Sequence, residues 1–344
     1  MPNPVLTRVI DSLASRRDLS VEEASELLAE IMEGRASEVE TAAALVALRT
    51  KGETVDEIVG LASTMRDLAT PVQTDIPDLL DTAGTGGGGS TYNVSTTAAL
   101  IAAGAGCSVA KHGNRSATGP SGSADVLEAL GVSIDLSPAE VARCIAEVGF
   151  GFMFAPAHHG ATRFVVPVRR ALGVRTIFNL LGPLTNPAGA TRQLIGVSDP
   201  AYVDSIAAAL ARLGARRALI VSSSDGLDEM STSATTRVVE VRETGLRAYE
   251  VSPEDVGLRR GALADVAGGT PEANADVIRR VLAGEPGPAR DIAVLNAGAA
   301  IYVGGGDETL EESVRAAEAA IDDGRAADTL ERLAAFTQGL APAR

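Results

Sequence analysis

The sequence has no tryptophan, two cysteines and three histidines among 344 residues, and aromatic side chains make up only 3% of it. The shortage of rings leaves Ala, Val and Leu to fill the interior, and an apolar content of 45% is enough for a substantial core. Cys107 and Cys144 form no CxxC pair and stand beside no histidine cluster. That excludes a disulfide framework and a zinc ribbon. Both lie in apolar segments and read as buried thiols in a reducing compartment. His112, His158 and His159 are the only histidines, and the adjacent pair lacks a metal-ligand spacing. No Ser/His/Asp arrangement can be assembled. The start of the chain lacks a basic-then-apolar leader, and no apolar run reaches about 18 residues. A cytoplasmic protein without membrane spans is expected. Positive charge is scarce too: 30 basic residues face 45 acidic ones, for a net charge of −15. Nucleic acid is a poor partner for such a surface, because phosphate affinity comes from clustered Lys and Arg. A phosphorylated small molecule needs only local positive charge or a metal.

The length suggests two domains. Residues 1–69 read as helices only. Leu6, Val9, Ile10 and Leu13 share one helical face. Ser20–Glu23, Ser37–Glu40 and Thr54–Glu57 each fit the capping box, and Gly34 and Gly52 are placed to end the helices before the second and third. Residues 70–78 read as a linker. After them short apolar runs alternate with helical stretches: strands are expected at 79–83, 108–111, 150–155, 193–197 and 218–222, and helices near 95–104, 122–131, 138–148 and 201–213. Such alternation predicts an α/β domain with a mainly parallel central sheet, and ligands bind such sheets at the carboxyl ends of strands. Residues 156–176, with Arg163, Arg169, Arg170 and Arg175, break the rhythm and are expected to leave the sheet and pack on the N-terminal helices. Residues 303–309 read as a surface turn. The expected fold is a small all-helical domain (1–69, with 156–176 returning to it) and a large α/β domain (70–155 and 177–344).

Four segments carry chemistry. Gly84-Thr85-Gly86-Gly87-Gly88-Gly89-Ser90-Thr91 follows a strand. Consecutive glycines let backbone N–H groups converge into an anion-binding nest. Asn93-Val94-Ser95-Thr96 then opens a helix, whose N-terminus favours phosphate. This is neither a dinucleotide fingerprint nor a Walker loop. Lys111-His112-Gly113-Asn114-Arg115-Ser116 ends the next strand with local positive charge, followed by the hydroxyls of Thr118, Ser121 and Ser123. Asp225-Gly226-Leu227-Asp228-Glu229 offers paired carboxylates, which suit either Mg²⁺ or an acidic surface turn. The run from Phe178 to Pro187, with two prolines and a glycine, reads as a rigid structural loop, a wall of the site at most. No general-base pair is evident, which fits a displacement at a sugar carbon driven by positioning and charge stabilisation.

GTGG, NVST, KHGNR, SGSADVLEALG, FNLLGPLTNP and GLDE, in this order and spacing, resemble the anthranilate phosphoribosyltransferases. The resemblance runs from the helical start to VLNAGAAIYV at 294–303. It implies transfer of ribose 5-phosphate from phosphoribosyl pyrophosphate (PRPP) to the amine of anthranilate, with Mg²⁺ as cofactor, in a homodimer joined through the helical domain. By motif, Gly84, Thr85, Gly86, Gly87, Asn93, Ser95, Thr96, Lys111 and Thr118 bind PRPP. Gly84, His112, Asn114 and Arg169 meet anthranilate, with Arg169 on its carboxylate. Ser95, Asp228 and Glu229 hold the metal. His112 is the only candidate for proton transfer.

The chain departs from the family pattern in three places. Gly88 stands where the family has Asp, in a loop one residue shorter. Ser116-Ala117-Thr118-Gly119 replaces Ala-x-Ser-Ser, and Thr118 keeps a hydroxyl for phosphate. His158-His159-Gly160 replaces Phe-His-Pro near the aromatic channel, so that only the central histidine survives. The last change leaves open a related transferase with another aromatic acceptor. A non-catalytic relative that binds nucleic acid is the other alternative, and both the charge and the retained Asp228–Glu229 pair oppose it.

Overall fold

The computed structural model describes residues 2–89, 91–116, 119–306 and 308–340. The chain opens with helices α1 (Pro4–Ala14), α2 (Val21–Met32), α3 (Glu38–Lys51) and α4 (Val55–Asp67). Ser20, Ser37 and Thr54 cap the last three, each accepting from the backbone N–H three residues on while Glu23, Glu40 and Glu57 reach back. Each such cap stabilises its helix by about 1 kcal/mol. Gly34 and Gly52 take positive φ after α2 and α3, as their placement foretold.

Residues 68–79 run without regular structure into β1 (Leu80–Gly84). Then follow α5 (Val94–Gly104), β2 (Val109–Gly113), α6 (Ser123–Ala129), α7 (Pro138–Val148) and β3 (Phe150–Phe154). The chain next leaves the sheet through α8 (Ala155–His158), a short turn of helix at 160–164 that packs against α2, and α9 (Val166–Leu172), which packs against α3. It returns by α10 (Phe178–Leu181) to β4 (Arg192–Gly196), α11 (Val203–Arg212) and β5 (Arg217–Ser223). An antiparallel pair, β6 (Thr236–Arg242) and β7 (Gly245–Val251), extends the edge. Helices α12 (Pro271–Leu282), α13 (Pro288–Gly304), α14 (Leu310–Asp322) and α15 (Arg325–Leu340) complete the chain.

The sheet order is β3-β2-β1-β4-β5-β6-β7, parallel through β5. The chain lays β2 and β3 on one side of β1, then crosses to lay β4 on the other. The β1/β4 boundary is therefore the topological switch point, where a crevice opens beyond the strand ends.

Three apolar clusters pack on the sheet, the smallest of them joining Ala110 of β2 and Met153 of β3 to Val141, Cys144 and Ile145 of α7. Of the other two, one packs α5, α13 and α14 against the first face of the sheet. The second joins Leu27, Leu45 and Ile58 of the helical bundle to Ile206 of α11 and to Ile195, Ile220 and Val239 beneath the sheet. Arg66, half-buried on α4, crosses the same seam and donates to the carbonyls of Leu184 (2.7 Å) and Leu213 (3.0 Å).

Three readings of the sequence are corrected. The β6–β7 pair was not expected. The segment at 303–309 is a turn only from Gly305, because Val303 and Gly304 complete α13. Cys144 is buried, but Cys107 is half-buried.

Candidate active site

The switch point is built on two glycines. Gly84, last in β1, pairs in register with Gly196, last in β4. The acidic loop after β5 folds back over both. A Cβ on Gly196 would lie 1.5 Å from the Asp228 carbonyl, and one on Gly84 would lie 2.7 Å from Asp228 Oδ2. Bare strand ends thus let Asp228 sit directly above the sheet.

The glycine-rich loop begins here. Thr85 is buried, donates its N–H to Gly196 O (2.9 Å) and accepts from Ser198 N–H at its hydroxyl (3.1 Å). Gly86 and Gly87 take φ of +66° and +81°, the left-handed region that glycine enters without cost. The Gly86 N–H donates to Asp228 Oδ2 (2.9 Å), so a carboxylate already rests on the predicted anion nest. Gly88, the position that departs from the family, also abuts Asp228: a Cβ there would lie 2.5 Å from Oδ1.

Helix α5 faces this loop. Asn93 precedes it in a left-handed conformation, φ +68°. Its side chain donates to Ser121 O (3.1 Å) and accepts from Ser121 Oγ (3.0 Å) and Asn274 Nδ2 (2.8 Å). Glu229 lies at the helix's N-terminal end, near the Ser95 backbone N–H, and accepts from Thr91 Oγ1 (3.1 Å). The second oxygen of Glu229 is buried without a partner, as is the hydroxyl of Thr96. Burial first, and then the neighbouring Asp228, push the Glu229 carboxyl up to about 8. Burial also raises Asp228. Two desolvated carboxylates with an unpartnered oxygen fit a divalent cation. No cluster of three or more His, Cys, Asp or Glu residues with metal-binding geometry occurs among the described residues, so beyond the two carboxylates the oxygens would be a hydroxyl such as that of Ser95 and those of a substrate. That is the habit of Mg²⁺ at phosphate sites.

Lys111 lies beneath the nest rather than in the open cleft. It is 2% exposed, and its ammonium donates to the carbonyl and hydroxyl of Thr82. Burial lowers it to about 8, against the attraction of Asp81 and Glu229. Asp81, fully buried and raised by desolvation to about 6, accepts from the His112 N–H (3.1 Å) and from Asn186 Nδ2 (2.7 Å). Asn186 belongs to the proline-rich loop, which therefore braces β1 and β2 from below.

On the acceptor side, His112 Nδ1 lies 3.2 Å from Gly182 O, and its ring is 5.1 Å from that of His159. Its Nε2 and both His159 ring nitrogens are buried without partners. Asn114 is exposed at the end of β2. Arg169, half-buried on α9, lies over the Phe178 ring (5.4 Å) and reaches Asn179 Oδ1 (3.4 Å). Among the described residues no hydrogen bond joins Asn114 to Arg169. A cleft opens between the helical bundle and the ends of β1 and β4, lined by Arg49, Glu53, Thr85, Arg175, Asn179 and Ser198 among others.

The structure thus brings together Gly84–Gly87, Ser95, Asp228 and Glu229, with Lys111 below them. Thr118 and Ser90 lie outside the described residues. Sequence reasoning missed Arg175, Ser198, Asp81 and Asn186. Ser198 carried a signal, as a hydroxyl just past the strand next to β1. Arg175 carried none beyond its charge.

Two family models cover the chain: Glycosyl transferase family, helical bundle domain, over residues 7–69, and Glycosyl transferase family, a/b domain, over 76–327. The anthranilate phosphoribosyltransferase of Moorella thermoacetica is 49% identical over 98% of this chain and 100% of its own length. The crystal structure of the Thermus thermophilus enzyme of the same name superposes with a TM-score of 0.91, at 47% identity, covering 96% of this chain and 99% of that one. The Saccharomyces cerevisiae enzyme in complex with PRPP and Mg gives 0.88 at 27% identity, covering 97% of this chain and 98% of that one. Matched at about half its positions along nearly its whole length, with the motif residues gathered at the switch point, this chain belongs to the anthranilate phosphoribosyltransferase family.

Proposed function

We propose that this chain transfers the 5-phosphoribosyl group of PRPP to the amine of anthranilate and releases diphosphate, the second step from chorismate to tryptophan. The observation that carries the reading is the paired Gly84 and Gly196, with Asp228 laid over both and the N-terminus of α5 opposite. In this reading the loop Gly84–Gly87 cradles the diphosphate, the Gly86 N–H turning from Asp228 to the anion while the Thr85 N–H stays with Gly196 O, and Asn93, Ser95 and Thr96 meet the phosphates. Lys111 adds positive charge from below, and reaches a phosphate only by releasing Thr82. Asp228 and Glu229, with Ser95, would hold Mg²⁺, which when bound offsets the charge of the diphosphate. Arg169 pairs with the anthranilate carboxylate, since a guanidinium matches a planar carboxylate bidentately. Gly84, Asn114 and His112 complete the acceptor wall. The aromatic amine is unprotonated at neutral pH and needs no strong base before it attacks the ribose carbon. As the C–N bond forms, the unpartnered Nε2 of neutral His112 is the group we assign to receive the proton it sheds. The nest stabilises the negative charge that develops on the leaving group.

The helical domain is assigned to 1–69 with 156–176, and the α/β domain to 70–155 and 177–344. We assign a homodimer through the helical domain. Six of the eight exposed large apolar side chains among the described residues lie on that half: Val39, Val46, Leu68, Phe164, Val166 and Val174. A cytoplasmic location goes with this reading.

Incubation with PRPP, Mg²⁺ and anthranilate should extinguish anthranilate fluorescence. Excess EDTA, or replacement of both Asp228 and Glu229 by Ala, should abolish the loss while leaving the circular dichroism spectrum unchanged. Full activity in either case would sink the metal assignment. A second reading, a related transferase with another aromatic acceptor, rests on His158-His159-Gly160 standing where the family has Phe-His-Pro. Turnover of substituted anilines or benzoates faster than anthranilate would select it.

A further inference from the structure

A run of glycines binds an anion only if its peptide N–H groups converge and its carbonyls turn away. Glycine allows either orientation at little cost, so something outside the run must fix it. At Gly86 the N–H side is held by Asp228. The carbonyl side is held by Arg175. One terminal nitrogen of its guanidinium donates to the Gly86 carbonyl and reaches Thr85 O (3.4 Å). The other donates to Ser198 Oγ (2.9 Å), which passes the bond on to Gly86 O (2.9 Å). Gly87 makes room for this contact, because a Cβ there would lie 2.9 Å from the guanidinium carbon. Arg175 stands between α9 and α10, on the segment returning from the helical bundle, and its own carbonyl accepts from Arg49 of α3. Both arginines line the cleft.

We propose that Arg175 is a positioning residue for the diphosphate of PRPP: its guanidinium, relayed by Ser198, holds the Gly86 carbonyl outward so that the glycine-rich loop presents its N–H groups to the anion, and through Arg49 it ties the shape of that nest to the helical bundle. The inference rests on the PRPP reading above and deepens it. The guanidinium fork spans two acceptors at once, which an ammonium does not reproduce.

The test uses the full-length protein and inorganic diphosphate with Mg²⁺, followed by titration calorimetry. This readout does not depend on which aromatic acceptor is used. Arg175→Ala should weaken diphosphate binding by about tenfold to a hundredfold, the loss expected for a charge-assisted hydrogen bond. Arg175→Lys should recover only part of it, and Ser198→Ala should show a smaller loss of the same kind. In steady-state assays Arg175→Ala should raise the KM for PRPP and spare that for anthranilate, whereas Arg169→Ala should do the reverse. Diphosphate affinity within twofold of wild type in Arg175→Ala overturns the proposal, as does full rescue by Lys. Wild-type protein that binds diphosphate but leaves anthranilate unconsumed overturns the acceptor reading instead.

Discussion

His112 and His159 face each other with three of their four ring nitrogens buried and unpartnered. Burial, and then the charge each histidine would impose on its neighbours, lowers His112 to about 3 and His159 to about 4. Both are therefore neutral in the folded protein at any pH above these values. In the unfolded chain they titrate near 6.5. Between about 6.5 and about 4 the unfolded chain binds more protons, so stability falls as pH drops through that window, by up to about 1.4 kcal/mol per pH unit for each histidine. Asp81 opposes this. Its carboxyl is raised from 3.8 to about 6, so below 6 the folded state takes up the proton first and one histidine is offset. Glu229, held up to about 8, offsets the other between about 8 and 4.5. The wild-type slope between pH 7.5 and 5 is therefore a small difference of opposed contributions, and His159→Gln isolates one of them: in urea unfolding, its stability should rise more, or fall less, than that of wild type as pH drops from 6.5 to 5. A slope identical to wild type would mean that His159 is charged in the fold. His112 was legible in the sequence because it follows a lysine at a strand end. Its partner was not, since the contact depends on α8 leaving the sheet and coming back beside β2. Arg175 was hidden for a similar reason: its charge was visible, but not the carbonyls it would meet.

At the scale of elements, the five parallel strands were legible to within a residue or two, because each is a short apolar run ended by glycine or polar residues. The capped helices were equally legible, since a hydroxyl and a glutamate three residues apart dictate where a helix starts. The β6–β7 pair was not. Leu246, Arg247 and Ala248 on the edge strand face solvent, so no apolar alternation betrays it. The acidic loop showed its paired carboxylates in the sequence but not their depth. That depth is set by Gly196. Gly196→Ala would drive a methyl into the Asp228 carbonyl and lift both carboxylates off the sheet. Activity at saturating PRPP should fall by at least tenfold, and half-maximal activity should require more Mg²⁺, while the melting temperature moves only a few degrees. Ala at Gly182, where an added Cβ meets nothing within 4 Å, is the control. Equal effects of the two substitutions would refute the depth argument.

Across the whole molecule, the helical bundle and the α/β unit have separate sequence patterns but not separate interiors. Leu27 and Ile58 share one apolar cluster with Ile206, Ile220 and Val239. Calorimetry should therefore show one unfolding transition, and residues 70–344 made alone should aggregate, because that cluster would be opened to water. Two resolved transitions, or a monomeric well-folded fragment, would contradict it. The sequence led us to expect a break at 70–78 and a return at 156–176. It could not announce that the two halves are fused below the sheet, because a shared core leaves no mark on periodicity.

Arg66, half-buried on α4, gives that fusion a mechanical meaning. Its guanidinium is bonded to the carbonyls of Leu184 and Leu213, across the line where α4 lies on α11. That line ties the bundle to the α/β unit by apolar packing and by two charge-assisted hydrogen bonds together. Arg49 and Glu53 lie away from it, at the cleft. Because Arg49 donates to the Arg175 carbonyl and Arg175 to that of Gly86, a strain applied to α3 is handed on to the glycine-rich loop through two arginines in series.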